Sequence, residues 1–325
     1  LQEDVDVLGV SLLSAAHMTI MPELRRLAVQ AGIGDLPIIV GGIVPEEDHA
    51  PLRAAGIDGI FNPGTPMQVV VDSVRALAER RRRQRSTAPE PLELGSATGL
   101  ARAITHIVSA QPERLGPVPP PRRPHVTIGI TGAPGVGKST FIGRLARHLR
   151  QRGRRIAVIA VDPTSPVTGG SVLGDRLRIM PSEPDSGLFI RSLASAGMPG
   201  GLAPHVAEVG RLLAAAGFDI TLIETVGAGQ SDTAIRTVAD AVLLILMPSA
   251  GDAIQFAKAG VYEIATGFVV NKSDLPGADA TERNLREALE DERPIWQVSA
   301  LRDEGFEPLC GWIEARLATA ATAPA

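Results

Sequence analysis

Short apolar runs alternate with amphipathic stretches along most of this chain. VDVLGV at 5–10, PIIV at 37–40 and GIF at 59–61 are apolar runs of strand length. Met21–Ala31, Pro45–Ala55 and Pro66–Arg83 carry apolar residues at helical spacing. A second series begins near His125. It predicts strands at Val126–Thr131, Ile156–Val161, Ile220–Glu224, Ala241–Leu246, Phe268–Asn271 and Ile295–Val298. Helices such as Ser139–Arg152 and Pro204–Ala216 lie between them. Strands separated by helical segments of this length predict parallel sheets with crossover helices, so the fold class is α/β. Three strands are few for the first sheet, and one or two further βα units are expected ahead of Leu1.

The stretch between the two series has a different character. STAPEPLELGS and GPVPPPRRP are rich in proline and small residues and read as linker. Between them, Ala97–Ala110 has helical spacing and is expected to dock on a neighbour. The expected organisation is a first domain at 1–86, a proline-rich linker with a short helix at 87–124, and a second domain at 125–325. Five arginines fall within Arg80–Arg85, where the spacing predicts a solvated helix end whose dipole suits positive charge.

Composition narrows the function classes. A chain of 325 residues suggests about two domains. Its net charge of −4 gives no global pull toward nucleic acid or an anionic membrane, and neither is expected as a partner. One cysteine, Cys310, excludes a disulfide framework within the chain and fits a reducing cytoplasm. The most apolar run, Ala239–Pro248, is too short to cross a bilayer. No basic region precedes the first apolar stretch, so the N-terminus does not read as a signal peptide.

The chemistry is concentrated in a few loops. GAPGVGKS at 132–139 sits between a predicted strand and a predicted helix, the context a phosphate-binding loop requires. Gly132, Gly135 and Gly137, with Ala133, Pro134 and Val136, let backbone N–H groups approach phosphate oxygens. Lys138 supplies a cation for the β- and γ-phosphates, Ser139 a hydroxyl for Mg²⁺, and Thr140 extends the helix start beside the α-phosphate. NKSD at 271–274 follows an apolar strand. There Asp274 can accept from guanine N1–H and the exocyclic amine, donors that adenine lacks, while Asn271 and Lys272 support the loop. Ser299-Ala300-Leu301 follows the next strand and suits a backbone contact to guanine O6. GTP is therefore the expected substrate.

Glu224, Asp162 and Asp175 end strands or sit in a glycine-rich stretch, where a carboxylate can reach the Mg²⁺ shell. A helix cap or a surface acid is the plain alternative for each. Lys138 and Glu224 are the candidate catalytic residues. Ala228 follows Gly227 where many small GTPases have glutamine, and Gln230 comes later, so no residue is assigned to orient the attacking water.

DPTSPVTGGSVLGDRLRI, ETVGAGQSDTA, PSAGDAIQFAKAGVYEIA and NKSD resemble the MeaB/ArgK family of GTPases. The resemblance spans roughly 97–317 and includes the helix LARAITHIVS ahead of the phosphate loop. It implies a GTPase that gates cofactor loading and protects an adenosylcobalamin-dependent acyl-CoA mutase, its partner. It also implies that 249–262 is an extra switch loop relaying nucleotide state to that mutase. The family's C-terminal dimerisation arm has no counterpart in ARLATAATAPA, which leaves the oligomeric state open. DVLGVSLLSAAHMTIMPEL, IIVGGIVPEED and IFNPGTP resemble the cobalamin-binding domain of such mutases, a flavodoxin-like fold that is incomplete here. By that resemblance Ser11, Leu13, Gly41 and Gly42 line the slot for the cobalamin tail. The family's Asp-x-His-x-x-Gly, source of the cobalt ligand, has no match from Leu1 onward, and His17 reads as a helix-entry residue. A fragment of a fused, cobalamin-dependent mutase with an internal GTPase is the second reading. A metal-insertion GTPase is the third, and no His- or Cys-rich tract supports it.

Overall fold

In this computed structural model, residues 1–84, 92–109, 115–163, 179, 185–196, 201–226, 232–248, 261–289 and 292–322 are described. The chain divides into two compact units, one built mainly from Glu3–Pro91 and the other mainly from Leu92–Pro112 and Pro117–Ala325.

The first unit has a three-stranded parallel sheet in the order β1 (Leu8–Leu12), β2 (Ile38–Gly42), β3 (Gly59–Phe61). Helices α1 (His17–Gln30), α2 (Glu46–Ala54) and α3 (Met67–Gln84) complete it. Ile38 and Val40 point to one face and form a core with Met21, Ala28, Leu52 and Ile57. Strands β1 and β2 run two residues further than the apolar runs indicate, because parallel pairing carries Ser11 opposite Gly41 and Leu12 opposite Gly42. Helix α1 starts four residues before the expected Met21. His17, Met21 and Ala28 are its buried residues, spaced four and seven apart on one face, so tertiary burial overrides the breaking tendency of Pro22.

In the arginine cluster Arg80, Arg82 and Arg83 are exposed, as a solvated helix end requires, and among the described arginines Arg81 alone departs from it. Arg81 is buried, donating to the Val5 carbonyl and to Asp35 Oδ2 at 3.2 Å. Arg80 reaches Asp58 Oδ1 at 2.6 Å and Arg82 reaches Asp6 Oδ2 at 2.7 Å. These arginines tie the C-terminal end of α3 back to its own unit. The pattern is invisible in sequence because the acids lie far off in the chain.

The second unit opens with α4 (Ala97–Val108), capped by Ser96, whose Oγ accepts from the Gly99 N–H. Its sheet has seven strands, all paired in parallel: β4 (Val126–Thr131), β5 (Ile156–Asp162), β6 (Leu188–Ala194), β7 (Ile220–Glu224), β8 (Ala241–Leu246), β9 (Gly267–Val270) and β10 (Ile295–Gln297). Their order is β10-β9-β8-β4-β7-β5-β6. Helices α5 (Lys138–Gln151), α6 (Val206–Ala215), α7 (Val261–Ile264), α8 (Ala278–Leu289) and α9 (Phe306–Thr322) lie between and after them. The strands are buried on both sides, as an all-parallel sheet demands.

Strand β6 escaped the sequence reading because Arg191 interrupts its apolar run. Arg191 is nonetheless buried, donating to Thr105 Oγ1 on α4 at 3.0 Å. The alternating pattern fixes two layers. Ile128 and Ile130 join Phe141, Leu145, Phe306 and Ile313 in one core cluster. On the opposite face Gly129 meets the 3₁₀ segment Asp232–Thr237, so closely that a Cβ there would lie 2.3 Å from Ile235 Cγ1. Cys310 is buried in α9, and desolvation pushes its thiol up to about 12. Among the described residues no helix is long and apolar enough to cross a membrane.

Two glycines test this packing with opposite signs. Gly129→Ala should destabilise the second unit by about 1–3 kcal/mol through overpacking against Ile235. Gly210→Ala, in α6 with nothing within 4 Å, should instead stabilise it by about 0.5–1 kcal/mol. Urea unfolding followed by circular dichroism measures both.

Candidate functional site

In a parallel sheet every strand delivers its C-terminal end to the same edge, and ligands of such sheets bind there, beside the strand where the order reverses. Strand β4 is that strand, with β7 on one side and β8 on the other. The loop Gly132–Gly137 leaves β4 and enters α5 directly. Gly132 has φ +149°, and a Cβ there would sit 2.4 Å from the Ile245 carbonyl oxygen of β8. Gly137, at φ +93°, is the left-handed cap of α5, and a Cβ there would meet Asn271 Nδ2 at 2.7 Å. Both positions therefore require glycine on steric grounds.

Lys138 and Ser139 are buried at the start of α5. Lys138 Nζ donates to the Gly132 carbonyl at 2.8 Å and the Ala133 carbonyl at 3.2 Å, which places its charge inside the loop. Ser139 Oγ donates to Glu224 Oε1 at 2.8 Å. Glu224 is the last residue of β7 and is itself buried. The pair joins residues 85 apart, so strand order alone brings them together. Asp162 ends β5 and is also buried. Because Ala160 pairs with Glu224, Asp162 lies on the same face as Glu224, two residues further toward the binding edge. Thr140 follows on α5, half-buried.

Asp175, residues 227–231 with Gly227, Ala228 and Gln230, and most of the stretch 249–262 lie outside the described residues.

The second loop follows β9. The side-chain amide of Asn271 is buried and works in both directions. Its Nδ2 donates to the Val136 carbonyl at 2.8 Å, and its Oδ1 accepts from the Ala300 N–H at 3.1 Å. Lys272 has φ +58°, an uncommon state for a lysine, and its Nζ donates to the Gly135 carbonyl at 2.7 Å. Ser299 Oγ donates to Asp274 Oδ1 at 2.6 Å and accepts from the Arg302 N–H at 3.2 Å. Ala300 is buried, whereas the Leu301 side chain stands in solvent. The structure thus brings the phosphate loop, Asn271–Asp274 and Ser299–Leu301 to one edge. The sequence reading did not foresee that Asn271 clamps two loops at once.

In the first unit Ser11 and Gly41 are paired neighbours at the C-terminal ends of β1 and β2. Ser11 is exposed, and a Cβ on Gly41 would have no atom closer than 3.9 Å. Gly42 is glycine for a local reason: at φ +148° a Cβ would lie 2.2 Å from the Leu12 carbonyl oxygen. Leu13 is fully exposed just past β1. His17 is the first residue of α1, buried, with Nε2 2.8 Å from Asp48 Oδ2.

The Ser299 hydrogen bond holds the Asp274 carboxyl below the usual carboxylate range. The nearby Arg302 and Lys272 charges add to the effect, and partial desolvation opposes it. A depressed folded-state value favours the ionised form. Its contribution to stability is present above the ordinary carboxylate range and is lost as pH falls through the depressed value. In Ser299→Ala the Asp274 titration, read by carboxyl ¹³C NMR, should move up toward the ordinary range. An unmoved midpoint would show that Ser299 does not set it.

Comparison with known proteins places this geometry. Residues 100–323 match the family model for the methylmalonyl-CoA mutase-associated GTPase MeaB. The GTPase ArgK of Escherichia coli is 38% identical over 190 residues, covering 56% of this chain and 57% of that protein. The mitochondrial methylmalonic aciduria type A homolog of Caenorhabditis elegans is 40% identical over 182 residues, covering 54% of this chain and 46% of that protein. The crystal structure of an LAO/AO transport system kinase superposes with a TM-score of 0.53 at 27% identity, covering 71% of this chain and 74% of that one. The chain spans about half the length of the first curated relatives it matches. With the matched segment running from α4 to the end of α9, the chain belongs to the MeaB family of P-loop GTPases.

Proposed function

We propose that this chain is a Mg²⁺-dependent GTP hydrolase that gates cobalamin loading and protection for an adenosylcobalamin-dependent acyl-CoA mutase. The observation that carries the nucleotide choice is the carboxylate of Asp274, held ionised by Ser299 on a loop that Asn271 clamps to the phosphate loop. An ionised carboxylate accepts from guanine N1–H and the 2-amine together. Adenine would leave it unpaired, at a cost of about 1–3 kcal/mol if desolvated.

The donors suited to Mg²⁺ are hard oxygens: Ser139 Oγ and the Glu224 carboxylate, 2.8 Å apart and buried, with Asp162 further along the same face. The ion, when bound, supplies neutralisation of charge on the phosphate oxygens. Asp175 is a further candidate for its shell. Lys138, fixed inside the loop, adds a preorganised positive charge where negative charge builds up as water attacks the γ-phosphate. The backbone N–H groups of residues 132–140 act in the same sense at the start of α5.

The mutase link rests on the family's description and on that of the worm relative. The cobalamin link rests on the first unit, where Ser11 and Gly41 form a strip without bulky side chains and Leu13 stands exposed beside it. A second reading, a fused mutase with the GTPase as its internal gate, draws on that same unit, since residues 1–99 fall outside the family match.

Calorimetry tests the nucleotide half. GTP should bind more tightly than ATP, and Asp274→Asn should weaken GTP and relax discrimination against xanthine nucleotides. Glu224→Ala should lower Mg²⁺-supported hydrolysis by about 10²-fold. Equal affinity for ATP and GTP would end the guanine reading. For the gating half, adenosylcobalamin uptake by an apo acyl-CoA mutase can be followed by absorbance. This chain with GTP should change the uptake rate and the Glu224→Ala chain should not; a rate indifferent to both ends that half.

A further inference from the structure

Helix α5, which begins with Lys138 and Ser139, is joined to the loop Ser299–Leu301 by a second set of contacts. Arg144 Nε donates to the Ala300 carbonyl at 3.1 Å, and Arg144 Nη1 lies 3.4 Å from Asp303 Oδ2. Asp303 Oδ1 is 3.0 Å from His148 Nε2, and Asp303 Oδ2 is 3.8 Å from Arg147 Nη1. One carboxylate thus gathers three side chains from a single face of α5. Ala300 is held at both ends of its backbone: its N–H donates to Asn271 and its carbonyl accepts from Arg144.

The turn that presents Asp303 is shaped for this. Ser299 and Glu304 exchange two backbone hydrogen bonds of 3.1 Å. Asp303 has φ +64°, and Gly305 has φ +82° with the Gln297 carbonyl oxygen 2.2 Å from where a Cβ would stand. Aspartate enters the left-handed region more readily than most side chains, which suits it to this turn. Beneath the cluster Phe306 stacks on His148 and on Phe141, with centroids 5.0 and 5.6 Å apart.

We propose that Arg144, acting through the Ala300 carbonyl and Asp303, is a positioning residue for base recognition, so that the phosphate-binding helix and the base-reading loop behave as one body. The proposal rests on the guanine reading above. It depends on the planar guanidinium, which offers Nε to the carbonyl and Nη1 to the carboxylate at once. A lysine ammonium is a single point charge on a flexible stem and cannot reproduce that fork.

The test compares GDP and ADP affinities with Mg²⁺ by competition against a fluorescent guanine nucleotide, on the full chain. In Arg144→Lys and Arg144→Met, GDP affinity should fall about tenfold while ADP affinity holds, so the GDP/ADP ratio falls about tenfold. KM for GTP should rise with kcat at saturation retained. Asp303→Asn should move the ratio in the same direction by less. An unchanged ratio in the Arg144 variants overturns the proposal, as does an equal loss for both nucleotides, which marks a merely structural role. If the wild-type chain binds ADP as tightly as GDP, the guanine reading fails first, and that result is distinct from a ratio that the variants leave alone.

Discussion

The side-chain amide of Asn271 is the contact on which the binding edge depends. It is one planar group with a donor and an acceptor, and both are used: Nδ2 on the phosphate loop, Oδ1 on the loop after β10. Neither loop could drift without leaving a buried amide unpaired, which costs more than the hydrogen bond itself contributes. The size of the space agrees. A Cβ on Gly137 would collide with this amide, so the glycine and the asparagine constrain each other. Lys272 adds a second tie from the same segment, to the Gly135 carbonyl, and its left-handed backbone is retained because that tie and its neighbours hold it.

The parts of this arrangement legible in sequence are those that one segment can specify. GAPGVGKS and NKSD carry their chemistry locally, and apolar runs of strand length located six of the seven strands in the second sheet. What escaped depends on partners distant in the chain. β6 was lost because a charged residue broke its run, and partners distant in the chain, Thr105 on α4 among them, make Arg191 tolerable there. The burial of Arg81, at an otherwise solvated end of α3, was hidden because its partners Val5 and Asp35 lie far off in the chain. The Arg144–Asp303 contact joins residues 159 apart, and nothing near either one marks it. The first turn of α1 was missed because the apolar spacing begins at Met21, while His17 is buried through a contact with Asp48, 31 residues away.

The same contrast separates the two units. In the second, the phosphate loop, Asn271–Asp274 and Ser299–Leu301 stand at one edge of the sheet, with Glu224 and Asp162 at strand ends beside them. In the first, the small residues at the strand ends have mixed causes. Gly42 is explained by its own backbone and its closeness to Leu12, whereas Ser11 and Gly41 are not required by any packing within the sheet. A glycine that its sheet requires says little about a ligand, so Ser11 and Gly41 carry more of the cobalamin proposal than Gly42 does.

The strand order also governs how the chain assembles during synthesis. β4 is made first among its neighbours, yet both its edges wait for strands that come much later. β7 begins 94 residues after β4 begins (220 less 126), and β8 begins 115 residues after (241 less 126). At a ribosomal pace of about 5–20 residues per second, VTIGIT stands for about 5–20 seconds with no strand to pair with. During that interval β5 and β6 can pair with each other, since they are adjacent in both chain and sheet. The nascent chain can therefore carry an outer two-stranded piece and a central strand without its native partners until Glu224 emerges. Only then is the carboxylate that Ser139 bonds available, so the nucleotide edge cannot be completed before most of the second unit has been made.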